Sequence, residues 1–324
     1  MSSTENGFLW GYRLAGEGER RLNWAEAQAW TPDQGPIWLH LDRRDPEVQS
    51  WLHDRSGVDA AICQTLLADE TRPRSHCAPK GLLLILRGVN LNPGAEPDDM
   101  IALRIWADAN RVISLRSRQF QATQEIAETI AVGTGPQDVG SLLTLLGLSL
   151  SARMEPVIEN LEGIADALEE CMTTRGAKET RTELSEFRRQ VIALRRYLSP
   201  QRLAIAQLVQ EPFPAFSPAN RASLRELADR TTRHVEDLEA LRERAGVIHD
   251  ELANHIAEQL NTRMYVVSLI TTIFLPLGLL TGLLGINVGG MPGAQDPAAF
   301  GWVCAILVSV GAVFVVVFRW LKWL

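Results

Sequence analysis

Residues 249 to 258, His-Asp-Glu-Leu-Ala-Asn-His-Ile-Ala-Glu, hold two imidazoles and three carboxylates within ten positions. Imidazole and carboxylate are the donors that suit a divalent transition metal, zinc above all. Glu251 and His255 are four apart and Glu258 follows three later, so on a helix these share a face, with His249 beside them. His76 and Cys77, in the segment RPRSHCAPK, are a second pair of metal-binding types, read as part of a loop and without spaced partners. His40, His53 and His234 read as packing or surface residues. A third place of interest is GLLGINVGGMPG, residues 282 to 293, a charge-free glycine-rich turn with one amide, Asn287.

Other chemistries are excluded by what the chain lacks. No GxxxxGK[ST] phosphate loop, HExxH pair or GxSxG elbow occurs, so neither ATP hydrolysis nor an enzymatic reaction is expected, and no cofactor is called for. A formal charge of −7 argues against nucleic acid as a partner. The four cysteines, Cys63, Cys77, Cys171 and Cys304, form no CxxC pair and read as free thiols.

Helical geometry orders the polar residues around residue 261. At about 100° per residue, Asp250, Asn254, Ala257, Met264, Ser268 and Thr272 all fall within roughly 60° of Asn261. Such a stripe suits the wall of a water-filled lumen. Leu275 and Leu279 continue it and suit a hydrophobic constriction that gates by dewetting. A solvated face is the other reading of Asp250 and Asn254, and Thr272 also suits a hydroxyl bonded back to its own helix. His249 and His255 lie about 120° either side of the stripe, where contacts between subunits are as natural as lumen lining.

The elements that must position these residues follow from hydropathy. Residues 266–284 and 300–318 carry no charged side chain, and about 19 residues at roughly 1.5 Å each match the roughly 30 Å hydrocarbon core of a bilayer. Arg263 precedes the first run, Arg319 and Lys322 follow the second, and the loop between has no Lys or Arg, so both termini are expected in the cytoplasm. Trp302, Trp320 and Trp323 suit the interfacial belt. No basic segment followed by an apolar run opens the chain, so no cleavable signal is expected.

The fold class expected is α+β with a membrane part, in three regions. Residues 1–137 form a cytoplasmic α/β domain, with strands at 36–42, 81–91 and twice within 100–117, and helices at 46–56 and from Gln119 to Val132. Residues 138–262 form a helical and stalk region. Residues 263–324 form a transmembrane hairpin around a periplasmic loop, 285–299. The last stalk helix starts at Ser217 to Asn220 and meets no proline between Pro218 and Pro276, so it is expected to enter the first span unbroken. A single hairpin cannot shield a water path from lipid, which implies a closed oligomer of identical chains. Gly285, Gly289 and Gly290 let the chain turn at its outer end while Asn287 offers an amide to the water shell of a cation.

TIFLPLGLLTGLLGIN followed by MPG, with two C-terminal spans and a long preceding helix, resembles the CorA-type metal-ion transporters, whose mark is a GxN tripeptide closing the first transmembrane helix. The form GIN-VGGMPG and the terminal KWL are most similar to the zinc-transport branch. The resemblance implies a homopentamer in the bacterial inner membrane, in contact with lipid and with a funnel-shaped cytoplasmic part. It implies that Gly285, Ile286 and Asn287 form the outer ion-selecting mouth, near Asp296, and that Asp250, Asn261 and Met264 face the pore. Zn2+ is then the transported ion, with protons as coupling partner and zinc as a candidate regulatory ligand at His249, Glu251, His255, Glu258, His76 or Cys77. The magnesium-transporting members carry an acidic outer loop, whereas Asp296 is the one acidic residue in this loop. A passive channel for Mg2+, Co2+ or Ni2+, and zinc efflux, are the alternative readings.

Overall fold

The computed structural model describes residues 7–15, 20–171, 177–286 and 296–321. The chain divides into two compact units, one running to His249 and the other starting at Asp250.

The first unit is built on a seven-stranded sheet of order β2-β1-β3-β7-β6-β5-β4. The strands are β1 (Phe8–Arg13), β2 (Arg21–Leu22), β3 (Ile37–Asp42), β4 (Arg74–Ala78), β5 (Gly81–Gly88), β6 (Ile101–Ala107) and β7 (Arg111–Arg116). Only the central β3–β7 pair is parallel; the other pairs are antiparallel. Side chains alternate between the two faces of a strand. Both faces of this sheet are covered, which is why IWLHLD and GLLLILRG are continuous apolar runs rather than alternating ones.

Leu82, Leu84 and Leu86 of β5 point into one core, with α4 (Gln121–Ala131) and α5 (Val139–Ala152) over them. Leu83 and Ile85 point into the other, under α1 (Trp24–Ala29), α2 (Pro46–Asp54) and α3 (Ala60–Leu67). Helix starts are set by side-chain caps. Asp45 accepts the Glu47 and Val48 amides, and Asp138 accepts the Ser141 amide at 2.7 Å. Gly140 in the first turn of α5 is required by a close approach, since a Cβ there would lie 2.1 Å from the Ala215 carbonyl oxygen.

The strap between α3 and β4 is held by three arginines, of which Arg104 is buried and Arg43 and Arg87 are half-buried. Arg104 donates to the Leu66 and Asp69 carbonyls at 2.8 and 3.1 Å, Arg43 to that of Leu67 at 3.0 Å, and Arg87 to that of Thr71 at 3.0 Å. Burial, together with neighbouring Arg43 and Arg87, lowers the Arg104 guanidinium to about 10. It therefore stays charged at neutral pH, with its N–H groups committed to carbonyl oxygens.

Three long helices complete the unit: α6 (Glu155–Cys171), α7 (Ala177–Gln210) and α8 (Pro218–Leu284). Their buried positions recur at steps of three and four residues. They are Ile158, Leu161, Ala165 and Leu168 on α6; Leu184, Phe187, Val191, Leu194 and Leu198 on α7; and Leu224, Leu227, Thr231, Val235, Leu238, Leu241, Ala245 and Ile248 on α8. A repeat averaging about 3.5 residues is the seam of a coiled coil. Arg195 to Glu239 at 3.0 Å ties α7 to α8, and Arg244 to Asp166 at 2.6 Å ties α8 to α6. Helix α8 begins where its sequence places it, with the Ser217 hydroxyl accepting the Asn220 amide at 3.1 Å, and it runs unbroken to Leu284.

The second unit contains the C-terminal part of α8 and helix α9 (Ala299–Trp320). Among the described residues three helical stretches are long and apolar enough to cross a membrane, and burial separates them. The stretch Val139–Cys171 is 50% buried in its most apolar window, where it packs in the soluble core. The most apolar windows of α8 and α9 are 0% buried, so their apolar surface is open to an outside solvent that must itself be apolar.

The expected loop RPRSHCAPK is corrected by the structure. Arg74–Ala78 is strand β4, paired antiparallel with β5 so that His76 lies opposite Leu83 and Cys77 opposite Leu82. An edge strand with arginine and histidine on its outward face lacks the apolar run that marks the central strands.

Candidate ion path along helix α8

Helix α8 presents two opposed faces. Measured at about 100° per residue from Asn261, the buried seam residues Leu241, Ala245 and Ile248 fall about 140–160° away on either side. From Asp250 on, where nearly all of the helix surface is exposed, the polar residues fall on one line. Asp250, Asn254, Asn261, Ser268 and Thr272 are all exposed, as are Met264 at 65%, Leu275 at 68% and Leu279 at 71%. These eight residues lie on one continuous helix, in a single line. The helix carries its hydrogen bonds internally: Thr272 Oγ1 donates to the Ser268 carbonyl at 2.8 Å, and Thr271 and Thr281 bond back in the same way. Their hydroxyl oxygens keep lone pairs free to accept from water.

The stripe also extends further than its sequence-predicted members. Asp229, Glu236 and Glu243 precede Asp250 at intervals of seven, all four are exposed, and none is in a salt bridge among the described residues. Seven residues are two helical turns, so these carboxylates stand one above another, about 10.5 Å apart. Sequence reasoning centred on Asn261 misses this acidic ladder. Its signal is a heptad repeat of acidic side chains set against the seam residues.

At the end of α8, the Gly285 amide donates to the Thr281 and Gly282 carbonyls at 2.9 and 3.2 Å, and Ile286 is 49% exposed. Asn287, with Gly289 and Gly290, lies outside the described residues, as do Lys322 and Trp323. Asp296 has a local task as well as its charge. Its Oδ1 accepts the Ala298 amide at 2.9 Å and its carbonyl the Ala299 amide at 3.1 Å, which opens the turn into α9.

The histidine-rich segment makes no metal centre within one chain. His249, Glu251, His255 and Glu258 are exposed, and among the described residues no three His, Cys, Asp or Glu side chains converge on a metal position. His76 and Cys77 do not share a ligand direction, because adjacent strand residues point to opposite faces: His76 lies on the outward face, whereas Cys77 packs against the core. Burial first, and nearby Glu211 second, raise the Cys77 thiol, which disfavours the thiolate that a metal requires.

His40 belongs to the core. It is fully buried, its Nδ1 lies 2.7 Å from Ser114 Oγ across the β3–β7 register, and its ring stacks on Trp10 at 4.4 Å. Burial, then Arg116, push its pKa well below the usual value, so it is neutral. His234 is also buried, at 9% exposure, and burial again lowers it.

The family described as "CorA-like Mg2+ transporter protein" matches residues 33–322. The chain is 40% identical to a "Divalent cation transporter CmaX" of Pseudomonas aeruginosa, over 100% of this chain and 98% of that one. It is 37% identical to a "Zinc transport protein ZntB" of Pectobacterium carotovorum, over 84% of this chain and 83% of the other. Among solved structures, the full-length CmaX protein superposes with a TM-score of 0.83 at 38% identity and full coverage of both chains. The CorA magnesium transporter of Methanocaldococcus jannaschii superposes at 0.82 over 97% of this chain and 98% of that one; at 20% identity this likeness concerns the fold.

Proposed function

The chain belongs to the CorA-like Mg2+ transporter family and is a divalent-cation transporter of that type, and from that premise we propose that it takes up Zn2+ across the bacterial inner membrane, coupled to protons, through a pore lined by α8 of each subunit. The observation that carries this reading is the two-faced α8. As far as Ile248 the helix buries a seam and leaves the carboxylates of Asp229, Glu236 and Glu243 exposed on the other side, and beyond it, where nearly every residue is exposed, Asp250, Asn254, Asn261, Ser268 and Thr272 fall along one line.

Copies arranged around an axis turn that stripe into a lumen, and five copies is the number the family resemblance implies. The helix α9 hairpin partner then faces lipid. The glycine-asparagine turn at 285–287 stands at the outer mouth, where amide and carbonyl oxygens bind the water shell of a cation without stripping it. Leu275 and Leu279 form the constriction. The ladder from Asp250 back to Asp229 keeps the local cation concentration high at the cytoplasmic end. An interior-negative potential favours inward movement by about 2.3 kcal/mol per charge per 100 mV. Protons are handled by the stalk carboxylates and by His249 and His255, since neither apolar run contains a histidine.

Zinc as cargo is supported by likeness to zinc transport proteins and by an outer loop with one carboxylate, Asp296. The likeness to a divalent cation transporter of unspecified ion favours a second reading, a passive channel for Mg2+, Co2+ or Ni2+. Zinc uptake into proteoliposomes, with and without an inward proton gradient at fixed membrane potential, separates them. Acceleration by the gradient is expected; flux that follows voltage and zinc concentration alone makes the protein a passive channel. In the same assay Asn287→Ala is expected to lower flux at least tenfold while the oligomer survives.

A further inference from the structure

Arg242, Glu243 and Arg244 follow one another on α8 at about 100° each, so with Glu243 toward the axis of the assembly proposed above, the two arginines point to opposite flanks of the chain. The flanks differ in charge. Arg244 is held within the chain by α6, bonded to Asp166 at 2.6 Å and to Glu169 at 2.9 Å. Glu162, four residues before Asp166, shares that face of α6, so three carboxylates surround one guanidinium and leave two net negative charges. On the other flank Arg242 and Arg188 of α7 line a groove of about 270 Å³ floored by Val191 and Ala245. Both guanidiniums are exposed, and neither has an ion-pair or hydrogen-bond partner among the described residues. The neighbouring Arg189 and Arg195 are already taken, by Glu186 and Asp98 and by Glu239. Each flank also leaves a large aliphatic side chain in the open: Ile192, 55% exposed, in the groove, and Val247, 59% exposed, three residues after Arg244.

We propose that a second copy of this chain fills the groove, the α6 flank of one copy, with Glu162, Asp166 and Glu169, docking on Arg188 and Arg242 of the next. The inference rests on the reading of α8 as the inner wall of an assembly and adds which faces meet. Two uncommitted positive charges meet two net negative ones, and Ile192 gains an apolar cover. The opposite pairing, groove against groove, would crowd four unpaired guanidiniums together, a like-charge contact that disfavours that arrangement. The joint is therefore heterologous, one flank against the other, which is the kind of contact that repeats around an axis and closes into a ring. Closure without a rise along the axis needs the two flanks at one level, and Arg242 and Arg244 lie within one turn of α8.

The test is cross-linking of the full-length protein in detergent with a short bismaleimide, in a Cys171→Ser/Cys304→Ser background carrying Ile192→Cys, Glu162→Cys or both. All three substituted positions that the reagent must reach or avoid outside the core, Ile192, Glu162 and Cys304, are exposed. Expected is a ladder of covalent multimers in the double variant and none in the background or in either single variant, because a heterologous joint brings the two flanks together and not a flank against itself. In the chain with its native cysteines, Arg242→Glu should raise about tenfold the protein concentration at which the oligomer half-dissociates at low ionic strength, and Arg242→Glu/Glu162→Lys should restore it. The two positions stand on opposite flanks of one chain, so that rescue reports contact between copies. No ladder in the double variant overturns the joint, as does an oligomer unchanged by Arg242→Glu; a dimer in Ile192→Cys alone overturns its head-to-tail sense. Stabilisation of wild type but not of Arg242→Glu by inorganic phosphate, with no ladder, reassigns the groove to a free anion. Cross-linking reads assembly without transport: a ladder alongside flux that substitutions on the stripe leave untouched would sink the pore reading and keep the joint, whereas flux that depends on the stripe with no ladder would strike the joint alone.

Discussion

Single residues in this protein do their work according to how deeply they are placed. His40 has the donor atoms of a metal ligand, but it is sealed between Trp10, Trp38 and Ser114 with its pKa pushed well down. A group whose folded pKa is depressed contributes stability that is present above its unfolded value, near 6.5, and is lost as pH falls, because the unfolded chain takes up a proton that the folded core refuses. His234 shifts in the same direction. Thermal melts should therefore fall from pH 7.5 to pH 5.5, with a slope approaching about 1.4 kcal/mol per pH unit for each histidine involved. His40→Gln should flatten that slope even as it lowers the melting temperature at neutral pH; an unchanged slope would show that burial of His40 is not its source. By contrast His249 and His255 are exposed and unconstrained within one chain, which is the state expected of groups that meet a partner or an ion only on assembly.

Among the elements, α8 is the one on which the proposed transport depends. Its seam and its stripe follow the same heptad clock, so Asp229, Glu236, Glu243 and Asp250 stay aligned opposite the buried residues over three repeats. Glu243→Lys places a cation in the middle of the ladder without touching the seam. It should reduce divalent flux about tenfold at low ionic strength, with the deficit shrinking as added salt shortens the screening length. A salt-independent deficit would point to a packing fault instead. Much of this helix is legible in the sequence. Ser217 and Pro218 announce its start, and the absence of proline until Pro276 gives its length. The central strands are legible too, because β3 and β5 are buried on both faces and so read as unbroken apolar runs. Strands β1 and β4 are not, since FLWGYR and RSHCA are set by their neighbours rather than by their own pattern. Helix α3 escapes notice for a similar reason: AAICQTLL is short, and the strap after it is fixed by Arg43, Arg87 and Arg104, which reach in from the sheet.

For the whole molecule, the exposed apolar surface of α8 and α9 and the exposed polar stripe cannot both be satisfied by water. Lipid would cover the first, and in the proposed assembly neighbouring copies would enclose the second; a lone chain would leave the hydroxyls of Ser268 and Thr272 facing hydrocarbon. The central claim is thus that one face of α8 lines the ion path, and cysteine substitution tests it most directly. In a Cys304→Ser background, which removes the one native thiol that is exposed, zinc flux into proteoliposomes would be measured before and after a positively charged thiol reagent. The variants are Asn261→Cys and Thr272→Cys on the stripe, and Ile270→Cys about 180° away. With the stripe lining the path, the reagent stops flux in the first two and spares the third. Block at Ile270→Cys with flux intact at Asn261→Cys and Thr272→Cys would place the path on another face and contradict that claim.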